Sequence, residues 1–133
     1  MPFGAWWVFH QLRVFKNQDY SVALIYDGDR IVHRDVVYPD FFRFPCMSTT
    51  DLILSDIWTD EDCRGQGLAA AAMQEIVRVY SRPGRVLWCI TAEDNRPCIR
   101  VLEKSGFVYA GTGTRTRRWG LHALGAFELT GSV

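Results

Sequence analysis

The sequence predicts an α/β fold of mixed α+β type, a single domain over residues 1–133 built as a mixed sheet flanked by helices. Three observations carry that reading. Two apolar runs, Ser21 to Tyr26 and Arg30 to Tyr38, are joined by Asp27-Gly28-Asp29, a hairpin signal. Leu52 to Trp58 is apolar on both faces, as a central strand covered on two sides must be. Ala69, Ala72, Met73, Ile76, Val77 and Tyr80 then recur at the spacing of one helical face, with Gln74, Glu75 and Arg78 turned away.

The remaining elements follow in order. Trp6 to Phe15 is read as a helix, because Ala5, Val8, Phe9, Leu12 and Phe15 share a helical face, while strand alternation fits poorly. Pro39 ends the second hairpin strand, and Phe41-Phe42-Arg43-Phe44-Pro45 is an aromatic connector without a period. Pro83-Gly84 breaks the helix that precedes it, and Arg85 to Thr91 reads as another buried strand. Asp94-Asn95 caps a second helix with Pro97 in its first turn. That helix should end at Gly106 in a left-handed cap, with Phe107 folding back. Phe107 to Gly111 and Gly120 to Leu129 complete the chain as strands.

Composition narrows the function. Hydrophobic residues make up 48% and aromatics 14%, enough for a real core. Fifteen basic and fifteen acidic residues cancel, so no overall field argues for nucleic acid or membrane as a partner. Cys46, Cys63, Cys89 and Cys98 show no Cys-x-x-Cys and no metal-ligand spacing, which suits free thiols in a reducing compartment and no metal. No apolar run reaches membrane-spanning length, and Met1-Pro2-Phe3-Gly4 lacks the basic stretch of a secretory signal. A cytoplasmic protein is expected.

Arg64-Gly65-Gln66-Gly67-Leu68-Ala69 runs straight into the amphipathic helix. A glycine turn there presents free backbone N–H groups at the positive end of the helix dipole, a site for phosphate oxygens. Written as Arg-x-x-Gly-x-Ala after an apolar strand and the acidic connection Asp60-Glu61-Asp62, it resembles the acyl-CoA pyrophosphate loop of the GNAT superfamily of N-acyltransferases. The likeness continues in the next helix, in Asn95, in the small residue Cys98 three positions on, and in Lys104-Ser105-Gly106-Phe107, and covers about Asp51 to Leu129. Arg43-Phe44-Pro45-x-Met47 and Trp58-Thr59 are also similar to small members associated with bacterial surface-polysaccharide synthesis.

The resemblance implies a central, mostly antiparallel sheet and transfer of an acetyl group from acetyl-CoA to a primary amine of a small molecule, with an amino sugar as one candidate. It implies that the donor is held by the amides of Arg64, Gly65, Gln66, Gly67, Leu68 and Ala69, with Asn95 and Cys98 beside it. The backbone of Trp58 and Thr59 would meet the thioester oxygen. Two departures stand out. Relatives usually have two early helices where this chain has room for about one, so the acceptor pocket is expected to be open or completed by a partner, a homodimer included. Many relatives also carry a tyrosine at the place of Leu102, thought to protonate the departing thiolate.

For the general base, Asp56 is the first candidate. It shares a strand face with Leu52, Leu54 and Trp58, and a buried carboxylate needs either a task or structural donors. Both explanations stand open. His33 and Asp35 share a face of the second hairpin strand and read more readily as a solvated face than as acceptor ligands. Glu61 reads as a loop charge. Cys98 and Tyr109 are the candidates for returning a proton to the thiolate, although a thiol of pKa near about 8.5 leaves tolerably unaided. Arg115, Arg117 and Arg118 form either a solvated loop or a contact for a phosphate on the donor or acceptor.

Two other readings compete. Gly65-x-Gly67-x-x-Ala70 satisfies a dinucleotide-binding fingerprint, with Glu93 as the ribose acid, but Thr59 to Arg64 intervene between strand and glycines. The second is a degenerate family member that binds acyl-CoA or a protein without catalysis, for which Leu102 speaks. A nucleotide triphosphatase is excluded because no Lys-Ser or Lys-Thr follows the glycines.

Overall fold

The computed structural model describes residues 3–121 and 125–132. In chain order they form α1 (Phe3–Gln11), β1 (Ser21–Asp27), β2 (Arg30–Pro39), β3 (Leu52–Thr59), a single 3-10 turn (Glu61–Cys63), α2 (Leu68–Tyr80), β4 (Leu87–Cys89), α3 (Arg96–Lys104), β5 (Gly111–Arg115) and β6 (Phe127–Ser132). One sheet has the order β1-β2-β3-β4, antiparallel except for the parallel β3–β4 pair, and β5–β6 form a separate antiparallel hairpin. The expected mixed, mostly antiparallel sheet is therefore present.

Each face of the main sheet carries its own core. On one side Val36, Tyr38 and Ile53 pack with Trp6 of α1 and with Phe15, Phe41, Phe44 and Met47. On the other, Val37, Leu52 and Leu54 meet Met73 and Ile76 of α2 and Leu102 of α3. β3 is thus covered on both faces, as its two-sided apolar pattern requires.

Four expectations need correction. α1 stops at Gln11, where Arg13 takes a left-handed φ of 53° and the amides of Arg13 and Val14 bond back to His10 and Phe9. Trp6 and Phe9 therefore make its contacts, while Leu12 is 68% exposed. The strand expected from Arg85 to Thr91 shortens to β4, since only these residues find a ladder, against Leu52–Leu54. Phe107 to Ala110 is irregular, because Phe107 is engaged by the end of α3. Its amide donates to Leu102 O at 3.0 Å and that of Gly106 (φ 88°) to Glu103 O at 3.1 Å, a Schellman cap. The last strand lies at Phe127–Ser132 instead of Gly120 to Leu129, Gly120 being in a turn bridged by Arg118 and Leu121, and 122–124 lying outside the described residues.

Asp51, which sequence patterning did not single out, fastens β3 to β4. Its buried carboxylate accepts from Val86 N at 2.9 Å, Trp88 Nε1 at 3.0 Å and Ser48 N at 3.0 Å. Asp51→Ala leaves three donors without their acceptor and is expected to cost about 2–4 kcal/mol. A urea midpoint unchanged from the wild type would show that the clamp contributes nothing.

Candidate active site

The β3–β4 ladder ends at Leu54 and Cys89, yet β3 continues to Thr59 while the chain beyond Cys89 turns towards α3. From Ser55 onwards the β4-facing edge of β3 borders a gap. A bulge lies at the mouth of this gap. One residue of β2, Asp35, separates Arg34 from Val36, but two residues of β3, Asp56 and Ile57, separate their partners Trp58 and Ser55. Asp56 takes a left-handed φ of 49°, the conformation a bulge of this kind needs and one that aspartate tolerates better than most residues.

The extra residue inverts the alternation along β3, which moves Asp56 from its expected place. It does not share a face with Leu52 and Leu54. Its carboxylate accepts the indole N–H of Trp6 on the α1 side, where it also faces Tyr20 and Tyr38. Ile57 instead joins the core beneath α2 and α3. Burial, reinforced by Asp56, raises the Tyr38 phenol well above its usual range. The bulge also lies two residues before Trp58-Thr59, which pair normally with Arg34 and His33.

His33 and Asp35 are not on a solvated face. Both side chains are fully buried on the α2 side, His33 Nδ1 lies 2.8 Å from Thr59 Oγ1, and His33 Nε2 lies 3.1 Å from Asp35 Oδ2 at an angle too poor for a hydrogen bond. Neighbouring Cys98 is held at the third position of α3. Its amide donates to Asn95 Oδ1 at 3.3 Å, and its thiol lies beside the Cys89 thiol and the Thr91 hydroxyl. The hydrogen bond from Cys89 draws the Cys98 thiol below its usual pKa against the opposing effect of burial, while Cys89 is pushed up. The Asn95 side chain is thus occupied as a helix cap. Leu102, one turn on, is core and offers no proton. Tyr109 is 68% exposed and lines a larger cavity of about 1130 Å³ beside β4 that none of the glycine-turn residues reaches.

The glycine turn has the geometry of an anion cradle. Gly65 and Gly67 adopt φ of 78° and 82°, and Gly67 is the N-cap of α2 with no side-chain cap. The first amides of α2 have no intrahelical acceptor, and a Cβ at either glycine would meet no protein atom within 4 Å, so the space above the turn is open. Arg64 and Gln66 brace the loop, Arg64 Nε donating to Thr59 O at 3.2 Å and Gln66 Nε2 to Asp62 O at 3.3 Å. The acidic connection is paired locally. Asp60 is bridged to Arg30, which holds its carboxyl below the usual range, and Glu61 lies 3.5 Å from Arg64. The open amides at the start of α2 fit a pyrophosphate group. Among the described residues no group of His, Cys, Asp and Glu could hold a metal ion.

On the α1 side, the gap opens into a cavity of about 200 Å³ bounded by Trp6, Tyr38, Ser55, Ile90, Phe44 and Phe127, with Arg43 and Arg115 among its walls. No helix among the described residues is long and apolar enough to cross a membrane.

Comparison with known proteins bears on the fold and the family. A putative phosphinothricin acetyltransferase, YwnH, of Bacillus subtilis is 30% identical over 77 residues, which is 57% of this chain and 46% of that relative, so the match spans just under half of its length. A putative acetyltransferase from Agrobacterium tumefaciens superposes with a TM-score of 0.62 at 16% identity, over 89% of this chain and 81% of that one. The aminoglycoside N-acetyltransferase AAC(6')-Iy, solved in complex with CoA, gives a TM-score of 0.64 at 14% identity, over 87% and 92%. At such identities the two structures speak for the fold. The model of the acetyltransferase (GNAT) family matches residues 5–107, from α1 through the split strands and glycine turn to the cap of α3, and the chain belongs to that family.

Proposed function

We propose that the protein is an acetyl-CoA-dependent N-acetyltransferase acting on a primary amine of a small molecule. The observation that carries this reading is the uncapped, left-handed glycine turn at α2 in a chain whose β3–β4 ladder stops at Leu54 and Cys89 and opens into a cavity on the α1 side. Donor and acceptor can then approach one point from opposite sides. The amides of Gly65 to Ala69 hold the pyrophosphate, that of Arg64 being taken by Glu61 O at 3.3 Å, and backbone N–H groups along the free edge of β3, from the bulge to Trp58 and Thr59, face the thioester oxygen.

The amine nitrogen attacks the thioester carbon, the carbon–sulfur bond breaks, and the sulfur leaves as thiolate. Asp56, on the acceptor side of the bulge, takes the amine proton directly or through water. Cys98 is the candidate that supplies a proton near the thiolate, and Tyr109 receives no role. Four free cysteines, two of them adjacent but unbridged, support a reducing, cytoplasmic setting. The relatives carry different acceptors in their names, so an amino sugar is one member of the panel to be tested, and a homodimer would complete an acceptor pocket that the single early helix leaves open.

Acetyl-CoA at about 100 times its dissociation constant is expected to stabilise the fold by about 2.7 kcal/mol, seen as a rise in melting temperature, and NAD to do far less. Equal or greater stabilisation by NAD overturns the reading. Leu102 favours a non-catalytic acyl-CoA binder as the second reading, and release of CoA thiol in the presence of amines separates the two.

A further inference from the structure

Arg43 and Arg115 come from distant parts of the chain and meet in the 200 Å³ cavity at the split strands. Arg43 sits in the aromatic connector, 6% exposed, with its guanidinium 5.5 Å from the Phe41 ring centre. Arg115 ends β5, opposite Phe127 in the hairpin register. Phe127 N donates to Arg43 O at 2.7 Å and its ring lies 6.0 Å from that of Phe44, so one residue fixes both arginines. The two guanidiniums repel: burial first, and Arg115 second, lower the Arg43 pKa. Among the described residues lining the cavity there is no carboxylate.

Two convergent cations in a partly buried wall are arranged for an oxyanion, and guanidinium is the side chain best matched to a carboxylate or its phosphorus analogue. The cavity's other wall, Trp6, is hydrogen-bonded to Asp56. A ligand in the cavity meets positive charge at one end and, at the other, Trp6 and Ser55, the chain neighbour of the candidate base Asp56, which stands behind Trp6 and does not itself line the cavity. The volume lies below the ~300 Å³ typical of larger ligands, which suits an amino-acid-sized molecule and not a nucleotide-linked one.

We infer that the acceptor is a small amine that also carries an anionic group, carboxylate or phosphonate, held between Arg43 and Arg115 with its amine towards Asp56. This rests on the acyltransferase reading. The acid contributes recognition and takes no part in the bond changes.

The test is CoA-thiol release from acetyl-CoA with matched acceptors: glycine, L-alanine and β-alanine, each beside its carboxamide, and aminomethylphosphonate beside methylamine. The carboxamides have the less basic amines, so a preference for the acids is not a protonation effect. The acids should exceed the amides at least about tenfold in kcat/KM, the scale of a charge-assisted hydrogen bond. Carboxylate against phosphonate identifies the anion. Arg115→Gln, at an exposed position whose backbone pairing the substitution keeps, should collapse the ratio towards one. Arg118→Gln, an equal loss of charge outside the cavity, should preserve it. Amides used as well as acids, or a ratio that survives Arg115→Gln, overturns the inference while leaving acetyl transfer intact. If no acceptor turns over, calorimetric titration of CoA-loaded protein decides: acid bound over amide, and lost in Arg115→Gln, sustains it, and equal or absent binding overturns it. Failure of acetyl-CoA itself to stabilise the protein is a separate result and strikes the acyltransferase reading.

Discussion

Asp56→Asn should lower kcat by about 100- to 10,000-fold while acetyl-CoA still binds with nearly unchanged affinity. The substitution removes the charge that would accept the amine proton, and general-base assistance is worth roughly that range. The bulge makes the experiment clean. Asp56 holds a left-handed φ of 49°, where asparagine is tolerated as well as aspartate, and the asparagine carbonyl can still accept the Trp6 N–H. Fold and donor site should both survive. A variant that loses unfolding stability and CoA affinity together would show instead that the carboxylate serves the packing of α1. Unchanged turnover would move the search for the base to buried His33 and Asp35.

Gly67→Val should weaken CoA binding by about 10- to 100-fold. No protein atom lies within 4 Å of the Cβ position, so the new side chain does not clash within the fold. It acts in two other ways. At φ 82° a β-branched residue costs ~1–2 kcal/mol of backbone strain. Its methyl groups also stand over the α2 amides and keep a pyrophosphate from reaching them, at a cost of about tenfold per lost charged hydrogen bond. Titration with CoA beside a denaturant curve separates the two effects. Unchanged CoA affinity in a folded variant would place the donor elsewhere on the protein.

The parts legible in the sequence are those whose signal is local. The hairpin at Asp27-Gly28-Asp29, the periodic face of α2, the Asn95 cap and the Gly106 end of α3 each depend on a few neighbouring residues, and each stands where the pattern puts it. The left-handed glycines of the anion cradle belong to the same class. What was not legible depends on pairing. Nothing in Leu52 to Trp58 announces that Asp35 will oppose two residues, and that single mismatch turns Asp56 from one face of the sheet to the other. The burial of His33 and Asp35 is likewise decided by α2 packing above them. Asp51 escaped notice because its three donors come from both sides of it in the chain, one of them a tryptophan in β4. The pairing of Arg43 with Arg115 needs the hairpin to dock on the connector, and no spacing in the sequence encodes that.

β4 holds to the sheet by three parallel rungs and to Asp51 by one hydrogen bond from Trp88 and one from Val86 just before it, and α3 follows that short strand in the chain. The antiparallel β1–β2–β3 ladders are far longer. The sheet therefore divides into a long antiparallel plate and a short parallel edge, with α3 tied to the plate by the side chains of its core face, and the gap lies between the two. Such a joint opens at lower free energy than the ladders on either side. The width of the cleft is then adjustable by side-chain packing alone, and relatives with other acceptors can inherit the plate unchanged while resetting the edge.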